Sequence, residues 1–284
     1  MPTILELITL TTEYFEKKEI DSPRINAELL LADILKCKRL DLYLSFDKPL
    51  EEKEINLYRE YVRRRAKYEP LQYIVGKVEF YGFEFVVNPN VLIPRQETEI
   101  LVESVIELLK VANISSGLDI GTGSGIIPIS VCRCYDNIYF DALDISSEAL
   151  EVAKKNSIYN GTQQRINFEL NDILQKDIRF HKKYDLVVSN PPYVAQSEYA
   201  SLQKEITDYE PKIAVTDFSD GYSFYKKISE IAIQILNEKG FLIFEVGKGQ
   251  SEFVSEIMRG VGFSSIKIVK DYSNIERVIQ GQKI

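Results

Sequence analysis

The sequence predicts an α/β fold in which a doubly wound sheet follows a small helical domain and a β-hairpin linker. Three observations predict it: helical periodicity without a convincing strand over residues 3–68, loss of that periodicity over 69–95, and alternating helix and strand patterns from 96 onward. The 284 residues suffice for two domains of ordinary size. We therefore expect a helical domain at 1–68, a linker at 69–95 and a sheet domain at 96–284.

The helical domain is expected to contain three helices. The first carries its apolar residues on one face over 4–15, and the second starts at Ser22-Pro23, where serine is the N-cap and proline occupies the first turn. The third spans 51–68 and has Arg63, Arg64 and Arg65 near its end. We interpret these arginines as a solvated face favoured by the helix dipole, with a patch that binds phosphate or acidic groups as the alternative.

The linker and the sheet domain follow from changes in this pattern. Val78, Phe80, Phe83 and Phe85 flank Gly82, which predicts a β-hairpin. From residue 96 the pattern predicts helices at 97–111, 126–134, 147–159, 223–236 and 252–260. The strands between them are predicted at 117–120, 138–143, 166–170, 184–189, 241–246, 266–269 and 276–279.

Composition excludes several classes of function. A formal net charge of −8 argues against a protein that mainly grips nucleic-acid phosphates. His181 is the only histidine, and Cys37, Cys132 and Cys134 have neither the number nor the spacing of a disulfide framework or a zinc site. No apolar run approaches the roughly 20 residues of a membrane span, and no secretory signal is readable. We expect no bound metal, no membrane contact and a cytoplasmic location.

Two features predict a nucleoside-binding site. Gly121-Thr122-Gly123-Ser124-Gly125 connects a predicted strand to a helix, and its glycines let the backbone approach a ligand closely. The spacing departs from the dinucleotide pattern G-x-G-x-x-G. Asp144 ends the next strand about 20 residues later, where a carboxylate can accept both hydroxyls of a ribose. A tight turn and a helix cap are the alternative interpretations of the two features.

The third and fourth strands of the sheet domain end in further candidates. Asp172 and Ile173 follow the third strand and can border an adenine ring, although a polar turn would have the same composition. Asn190-Pro191-Pro192-Tyr193 follows the fourth strand and is the most specific motif of the chain. Its prolines leave carbonyl oxygens free, its asparagine adds a further acceptor, and its tyrosine can stack on a planar group. The motif predicts a clamp for a planar amino group.

With these motifs the chain resembles class I S-adenosylmethionine-dependent methyltransferases of the Asn-Pro-Pro-Tyr group. More closely, it resembles the HemK/PrmC-type protein-(glutamine-N(5)) methyltransferases, which modify the Gly-Gly-Gln loop of peptide chain release factors. The resemblance covers nearly the whole chain and includes segments 70–76, 92–99, 209–211 and 244–247. Gln96 stands where the family usually has proline, and Val215 stands where it usually has leucine.

The resemblance implies a Rossmann-like class I methyltransferase domain with S-adenosyl-L-methionine as methyl donor. Residues 121–125 would lie against its methionine portion and Asp144 against its ribose. Asn190-Pro191-Pro192-Tyr193 would be the catalytic motif that orients the substrate carboxamide, with Asn190 also beside the donor and Arg95 among the substrate contacts. The implied partners are release factors, recognised by the helical domain, and no direct nucleic-acid substrate is expected.

Three alternatives stay open at the level of the sequence. An adenine methyltransferase acting on DNA or RNA could use the same acceptors, but residues 1–70 contain 13 Lys and Arg against 14 Asp and Glu, which gives no strongly basic domain. A ribosomal protein glutamine methyltransferase would use the same chemistry, so that only partner recognition separates the two. A non-catalytic module that binds the cofactor would not need two acceptors beside the methyl group.

Overall fold

The computed structural model describes residues 1–175, 178 and 180–284, which form two compact units. One unit comprises Met1–Gly76 and Gln203–Tyr209, and the other comprises Lys77–Leu202 and Glu210–Ile284. The first unit is helical, whereas the second contains a seven-stranded sheet with helices between its strands. The predicted fold class is confirmed. The division of function among segments 1–68, 69–95 and 96–284 stays a prediction.

The elements of the helical unit agree with the predicted pattern except for the shortest ones. In chain order up to residue 86, the helices and strands are α1 (Ile4–Lys17), α2 (Pro23–Leu35), α3 (Arg39–Tyr43), α4 (Glu52–Arg65), α5 (Leu71–Val75), β1 (Lys77–Phe80) and β2 (Phe83–Val86). The pair β1 and β2 is the predicted hairpin. Helices α3 and α5 were not predicted, because five residues are too few to show a helical period.

The remaining elements belong with β1 and β2 to the sheet unit, apart from α9, which belongs to the helical unit. They are α6 (Glu97–Val111), β3 (Ser116–Ile120), α7 (Ile126–Cys134), β4 (Tyr139–Asp144), α8 (Ser147–Tyr159), β5 (Ile166–Leu170), β6 (Tyr184–Ser189), α9 (Lys204–Tyr209), α10 (Ser223–Ile235), β7 (Leu236–Glu245), α11 (Ser251–Val261), β8 (Phe263–Lys270) and β9 (Glu276–Lys283). Strands β7, β8 and β9 are longer than predicted. Residue 236, predicted as the end of a helix, begins β7 instead.

An apolar core shared by α1, α2 and α4 stabilises the helical unit. Phe15, Leu30 and Tyr58 are at most 1% exposed. Burying one side chain of this size contributes about 1.5–3 kcal/mol to folding. The Tyr58 hydroxyl donates to the backbone oxygen of Ala27 at 3.1 Å, so that its polar end is satisfied inside the core.

One local prediction for this unit is confirmed and another is wrong. Ser22 is the N-cap of α2 and Pro23 its first residue, as predicted, although the serine side chain makes no capping hydrogen bond and its φ is 49°. Arg65 was predicted to lie on a solvated face, but it is only 3% exposed. Its guanidinium donates to Asn26 Oδ1, Glu69 O and Glu205 Oε1. A buried charge is tolerated when it is paired in this way, so we assign Arg65 to the structure of the helical unit.

The order of strands in the large sheet is β5-β4-β3-β6-β7-β9-β8. The pairs from β5 to β7 are parallel, and β9 is antiparallel to both of its neighbours. After β3 the chain builds the sheet outward in one direction through β4 and β5, and then returns to the other side of β3 with β6. The order therefore reverses between β3 and β6, and in open α/β sheets ligands bind where the order reverses, at the carboxyl ends of the strands.

Strand register brings the two predicted motifs to this place. Ile120, the last residue of β3, pairs with Ser189, the last residue of β6, and also with Leu143 of β4. The glycine turn and the Asn-Pro-Pro-Tyr motif thus leave the sheet side by side. Within the part of the chain that the structure describes, no helix combines the length and the apolar character needed to cross a bilayer.

Candidate active site

A cavity of about 410 Å³ lies at the carboxyl ends of β3, β4, β5 and β6 in the sheet unit. Eight of the residues predicted for the site are among those that line it: Gly121, Gly123, Asp144, Asp172, Ile173, Asn190, Pro191 and Pro192. The volume falls in the range of small-molecule sites, which are commonly 300–1,000 Å³. Thr122, Ser124, Gly125, Tyr193 and Arg95 were also predicted, but they are not part of the lining.

The glycine turn presents bare backbone to the cavity. Gly121 and Gly123 have φ values of 75° and 54°, which favour glycine, and a Cβ built on either would meet no atom within 4 Å. The open space at both positions is therefore available to a ligand. The amides of Gly121 and Thr122 both donate to the backbone oxygen of Leu143 at 2.9 Å, which ties the turn to β4.

Asp144 joins the glycine turn to the start of α8. Its Oδ2 accepts the amide of Gly123 at 2.8 Å, and its Oδ1 accepts the amide of Ser146 at 3.0 Å. Burial raises the pKa of the Asp144 carboxyl, while these backbone hydrogen bonds oppose the rise. Each carboxylate oxygen can accept more than one hydrogen bond, so both oxygens keep capacity for a ligand hydroxyl. Ser146 is the N-cap of α8, and the two amides that Asp144 accepts leave it able to bind a ligand.

A second acid, Asp119, lies directly before the turn and was missed in the sequence. It is fully buried, and neither carboxylate oxygen makes a hydrogen bond of ordinary geometry within the described residues. Burial raises the pKa of Asp119 to about 7, although the neighbouring Thr122 opposes the rise. A buried and unsatisfied carboxylate destabilises a fold, which makes it a candidate for binding a ligand. An acidic residue inside an otherwise apolar strand was the signal available in the sequence.

Asp172 and Ile173 continue the wall beyond Asp144. The amide of Asn171 donates to the Asp144 backbone oxygen at 2.9 Å, which holds the end of β5 against the end of β4. Asp172 Oδ1 accepts the amide of Leu174 at 2.9 Å, and the Ile173 side chain is 6% exposed. An apolar surface beside a carboxylate suits a flat ring with an amino group. Their assignment to an adenine site stays a prediction.

Three residues of the Asn-Pro-Pro-Tyr motif line the cavity, whereas the fourth, Tyr193, is not part of its lining. Asn190 and Pro192 are half-buried, Pro191 is buried, and all three line the cavity. Tyr193 does not line it; its backbone oxygen accepts Gln250 Nε2 at 3.0 Å, and burial raises the pKa of its hydroxyl to about 12. This position leaves the predicted stacking role of Tyr193 without a contact in the cavity wall.

Arg95 belongs to an ion pair near the cavity and is not part of its lining. Its guanidinium lies 2.5 Å from Glu210 Oε1, and Glu210 Oε2 accepts the amide of Ile93 at 3.2 Å. The Glu210 side chain is 1% exposed, whereas that of Arg95 is 34% exposed. The arginine neutralises a buried carboxylate while keeping an accessible side. A contact with substrate from that side stays a prediction.

A loop whose residues were not predicted for the site also contributes to the cavity wall. Phe218 lines the cavity with a φ of 57°, a conformation that L side chains rarely adopt. Its amide donates to Thr216 Oγ1, and the carboxylate of Asp217 accepts the amides of Ser219, Gly221 and Ser223. These bonds hold the loop in place despite the strained residue. Sequence patterns do not reveal positive φ at a phenylalanine.

Comparison with known proteins assigns the family. The family model described as PrmC N-terminal domain matches residues 6–76, and the one described as Methyltransferase small domain matches residues 95–209. The release factor glutamine methyltransferase of Fusobacterium nucleatum is 40% identical over 283 residues, covering 98% of this chain and 78% of that protein. The chain belongs to the release factor glutamine methyltransferase family. The release factor glutamine methyltransferase of Chlorobaculum tepidum is 37% identical to this chain, and the alignment covers 95% of that protein.

Solved structures support the fold assignment independently. The catalytic domain of hMettl16, solved with an RNA hairpin, has a TM-score of 0.57 at 18% identity and covers 81% of this chain and 82% of that one. A methyltransferase from Pyrococcus furiosus has a TM-score of 0.50 at 18% identity, with coverages of 71% and 89%. At this level of identity the likeness concerns the fold alone. The predicted class I methyltransferase fold is confirmed.

Proposed function

We propose that this chain transfers a methyl group from S-adenosyl-L-methionine to the side-chain amide nitrogen of the glutamine in the Gly-Gly-Gln loop of peptide chain release factors. The observation that carries the proposal is the position of Asn190 and Pro191, two acceptors for a planar amino group, in one cavity with the glycine turn and Asp144. Membership in the release factor glutamine methyltransferase family supports this choice of substrate. A cytoplasmic location, where translation terminates, is part of the proposal.

The residues present fit the methyl donor. Gly121 and Gly123 leave space for its methionine portion, and Asp144 has acceptor capacity for its ribose. Among the described residues, none gives the buried Asp119 carboxylate a hydrogen bond of ordinary geometry. When bound, S-adenosyl-L-methionine supplies an electrophilic methyl group on a sulfonium. Asp172 and Ile173 would border its adenine, so the donor would extend along the ends of β3, β4 and β5.

Asn190 and Pro191 would prepare the nucleophile. An amide nitrogen is a poor nucleophile because its lone pair is delocalised into the carbonyl group. If Asn190 Oδ1 and the Pro191 carbonyl oxygen each accept one N–H of the substrate carboxamide, they fix the nitrogen in line with the methyl carbon and favour its pyramidalisation. With the nitrogen held in this way, the new N–C bond would form as the C–S bond of the donor breaks, and one N–H proton would leave the methylated amide.

Partner recognition is proposed for the helical unit. It exposes large apolar side chains, among them Leu10, Leu40 and Leu44, which are 61%, 71% and 86% exposed. Leu40 and Leu44 are four residues apart at α3 and its C-cap, so they lie on the same side of the helix. Grouped exposed apolar residues commonly mark protein contacts. The same unit contains the segment matched by the PrmC N-terminal domain model, which the methyltransferase domain model does not cover. These observations support a role in binding protein instead of cofactor.

Mass spectrometry of purified release factor tests the proposal. The full chain, release factor and S-adenosyl-L-methionine should give a mass increase of one methyl group on the Gly-Gly-Gln peptide. A release factor in which that glutamine is replaced by alanine is the matched control and should gain nothing. Methylation of adenine in an oligonucleotide, or of a ribosomal protein, with unmodified release factor would contradict the proposal. The overall acidic charge and the family do not favour the adenine alternative.

A further inference from the structure

Three polar side chains from distant parts of the sequence meet behind the cavity wall. Asn190 follows β6, Thr98 lies in the first turn of α6, and Glu245 ends β7. Thr98 and Glu245 are each 1% exposed. Asn190 Nδ2 donates to Thr98 Oγ1 at 3.2 Å. Ser189 pairs with Phe244, which brings Asn190 and Glu245 side by side at the ends of β6 and β7, and Thr98 and Asn190 both lower the pKa of the Glu245 carboxyl.

The direction of these hydrogen bonds follows from the chemistry of Glu245. An ionised carboxylate accepts hydrogen bonds and cannot donate. When Thr98 gives its one proton to the neighbouring Glu245, its oxygen is left as the acceptor that Asn190 uses. Asn190 can meet both neighbours only with its NH₂ group. Its Oδ1 is then the atom left for the cavity, which Asn190 lines.

We infer that Glu245 and Thr98 are positioning residues that fix the side-chain amide of Asn190 so that Oδ1 faces the substrate carboxamide. The inference rests on the proposed function. The two ends of an asparagine amide have nearly the same shape, so packing alone does not select one orientation. A flipped Asn190 would place its own NH₂ against the NH₂ of the substrate, where neither group can accept.

Stability alone does not explain Glu245. Its Oε2 has no hydrogen-bond partner within the described residues, and an unsatisfied buried polar atom destabilises a fold. An apolar side chain would fill the same position without this penalty. Retaining a carboxylate here is consistent with a task in the site that requires acceptor atoms and no donor, which glutamine could not perform.

The arrangement has a pH dependence with a defined sign. Burial raises the pKa of Glu245 to about 7, against the effects of Thr98, Arg277 and Asn190, while Glu97 raises it further. The Tyr193 and Tyr225 hydroxyls complete the titratable surroundings, and Tyr225 donates to the backbone oxygen of Glu245 at 3.0 Å. A protonated Glu245 can donate to Thr98, which frees Thr98 to donate to Asn190 Oδ1. The orientation is therefore fixed above about pH 7 and lost below it.

Single-turnover methylation of release factor by the full-length protein, at saturating S-adenosyl-L-methionine, tests the inference. Glu245→Gln should lower the rate on the order of 100-fold, the effect of misplacing a reacting group, with little change in the Kd of the methyl donor or the KM of release factor. The rise of the wild-type rate through about pH 7 should disappear in this variant. Asp119 titrates in the same range but is present in both proteins, so the difference between the two profiles reports Glu245.

Thr98 provides the matched pair of variants. Thr98→Val keeps the shape but removes the hydroxyl and should lower the rate as Glu245→Gln does, while Thr98→Ser should recover most of the loss. Combining Glu245→Gln with Thr98→Val should lower the rate no further than either alone. Ser104→Ala removes a buried hydroxyl from the same helix, bonded only to the backbone of Ile100 among the described contacts, and serves as the control.

The outcomes separate the inference from the proposed function. No methylation of release factor by the wild-type protein would contradict the function. Normal wild-type methylation with an unchanged rate and pH profile in Glu245→Gln would overturn only the inference. Should Glu245→Gln fail to fold, the Thr98 pair decides: equal losses in Thr98→Val and Thr98→Ser, or no loss in either, would overturn it.

Discussion

Replacing Asp144 tests the proposed donor site most directly. In the structure this carboxylate already accepts the amides of Gly123 and Ser146 at 2.8 and 3.0 Å. In the proposed complex it would also accept two ribose hydroxyls, each worth about 1.5–3 kcal/mol when the acceptor is charged. Asp144→Ala should therefore weaken binding of S-adenosyl-L-methionine by about 3 kcal/mol or more, which is at least about 100-fold in Kd.

Two further variants separate binding from folding. Asp144→Asn keeps the size and one acceptor oxygen, and we expect a smaller loss of about 2 kcal/mol, or about 30-fold. Asp185 is the matched control, because it accepts the amides of Ser115 and Ser116 at the opposite end of the sheet. Asp185→Asn should lower the melting temperature but leave the Kd unchanged. Calorimetry gives the Kd, and a wild-type value for Asp144→Ala would refute the ribose assignment.

Three other predictions concern the nucleophile, the partner and the buried acids. Asn190→Ala should slow single-turnover methyl transfer on the order of 100-fold or more with intact folding, and a wild-type rate would exclude the amide clamp. Replacing Leu40 and Leu44 by serine should raise the KM for release factor but not the Kd for the donor; an unchanged KM would remove this surface from partner recognition. Asp119 and Glu245 have folded-state pKa values of about 7, above their ordinary values of 3.8 and 4.5. Their contribution to the free energy of unfolding is therefore present below about pH 4 and is lost as the pH rises through about 7. In denaturant unfolding, the free energy of unfolding of Asp119→Asn should fall less over this pH range than that of the wild-type protein.

Predictions from the sequence succeeded where the signal is local. The glycine turn and the Asn-Pro-Pro-Tyr motif each follow an apolar strand, so their place at the carboxyl ends of strands could be read directly. Alternation of helix and strand then implied a parallel sheet, in which those ends meet at one edge. In the structure, Ile120 at the end of β3 pairs with Ser189 at the end of β6, so the two strand ends meet as expected.

Predictions failed where the partner lies far away in sequence. The burial of Arg65 depends on Glu205, 140 residues later, so no local pattern could indicate it. The contact of Thr98 with Asn190 spans 92 residues and depends on the order of strands in the sheet. The short helix α5 was missed for a different reason, because its five residues do not complete two helical turns.

The sheet order also explains why two buried acids lie beside the Asn-Pro-Pro-Tyr motif. Strand β6, which Asn190 follows, lies between β3 and β7, and each of these neighbours has a buried carboxylate near its carboxyl end, Asp119 and Glu245. The cavity lining adds Asp144, Glu148, Asp172 and Asp217, and none of the described residues that line it is Lys, Arg or His. Such a site favours a cation. The proposed donor is a positively charged sulfonium, and its product is a neutral thioether. The acids that destabilise the fold would therefore bind the donor more strongly than the product, which would favour product release.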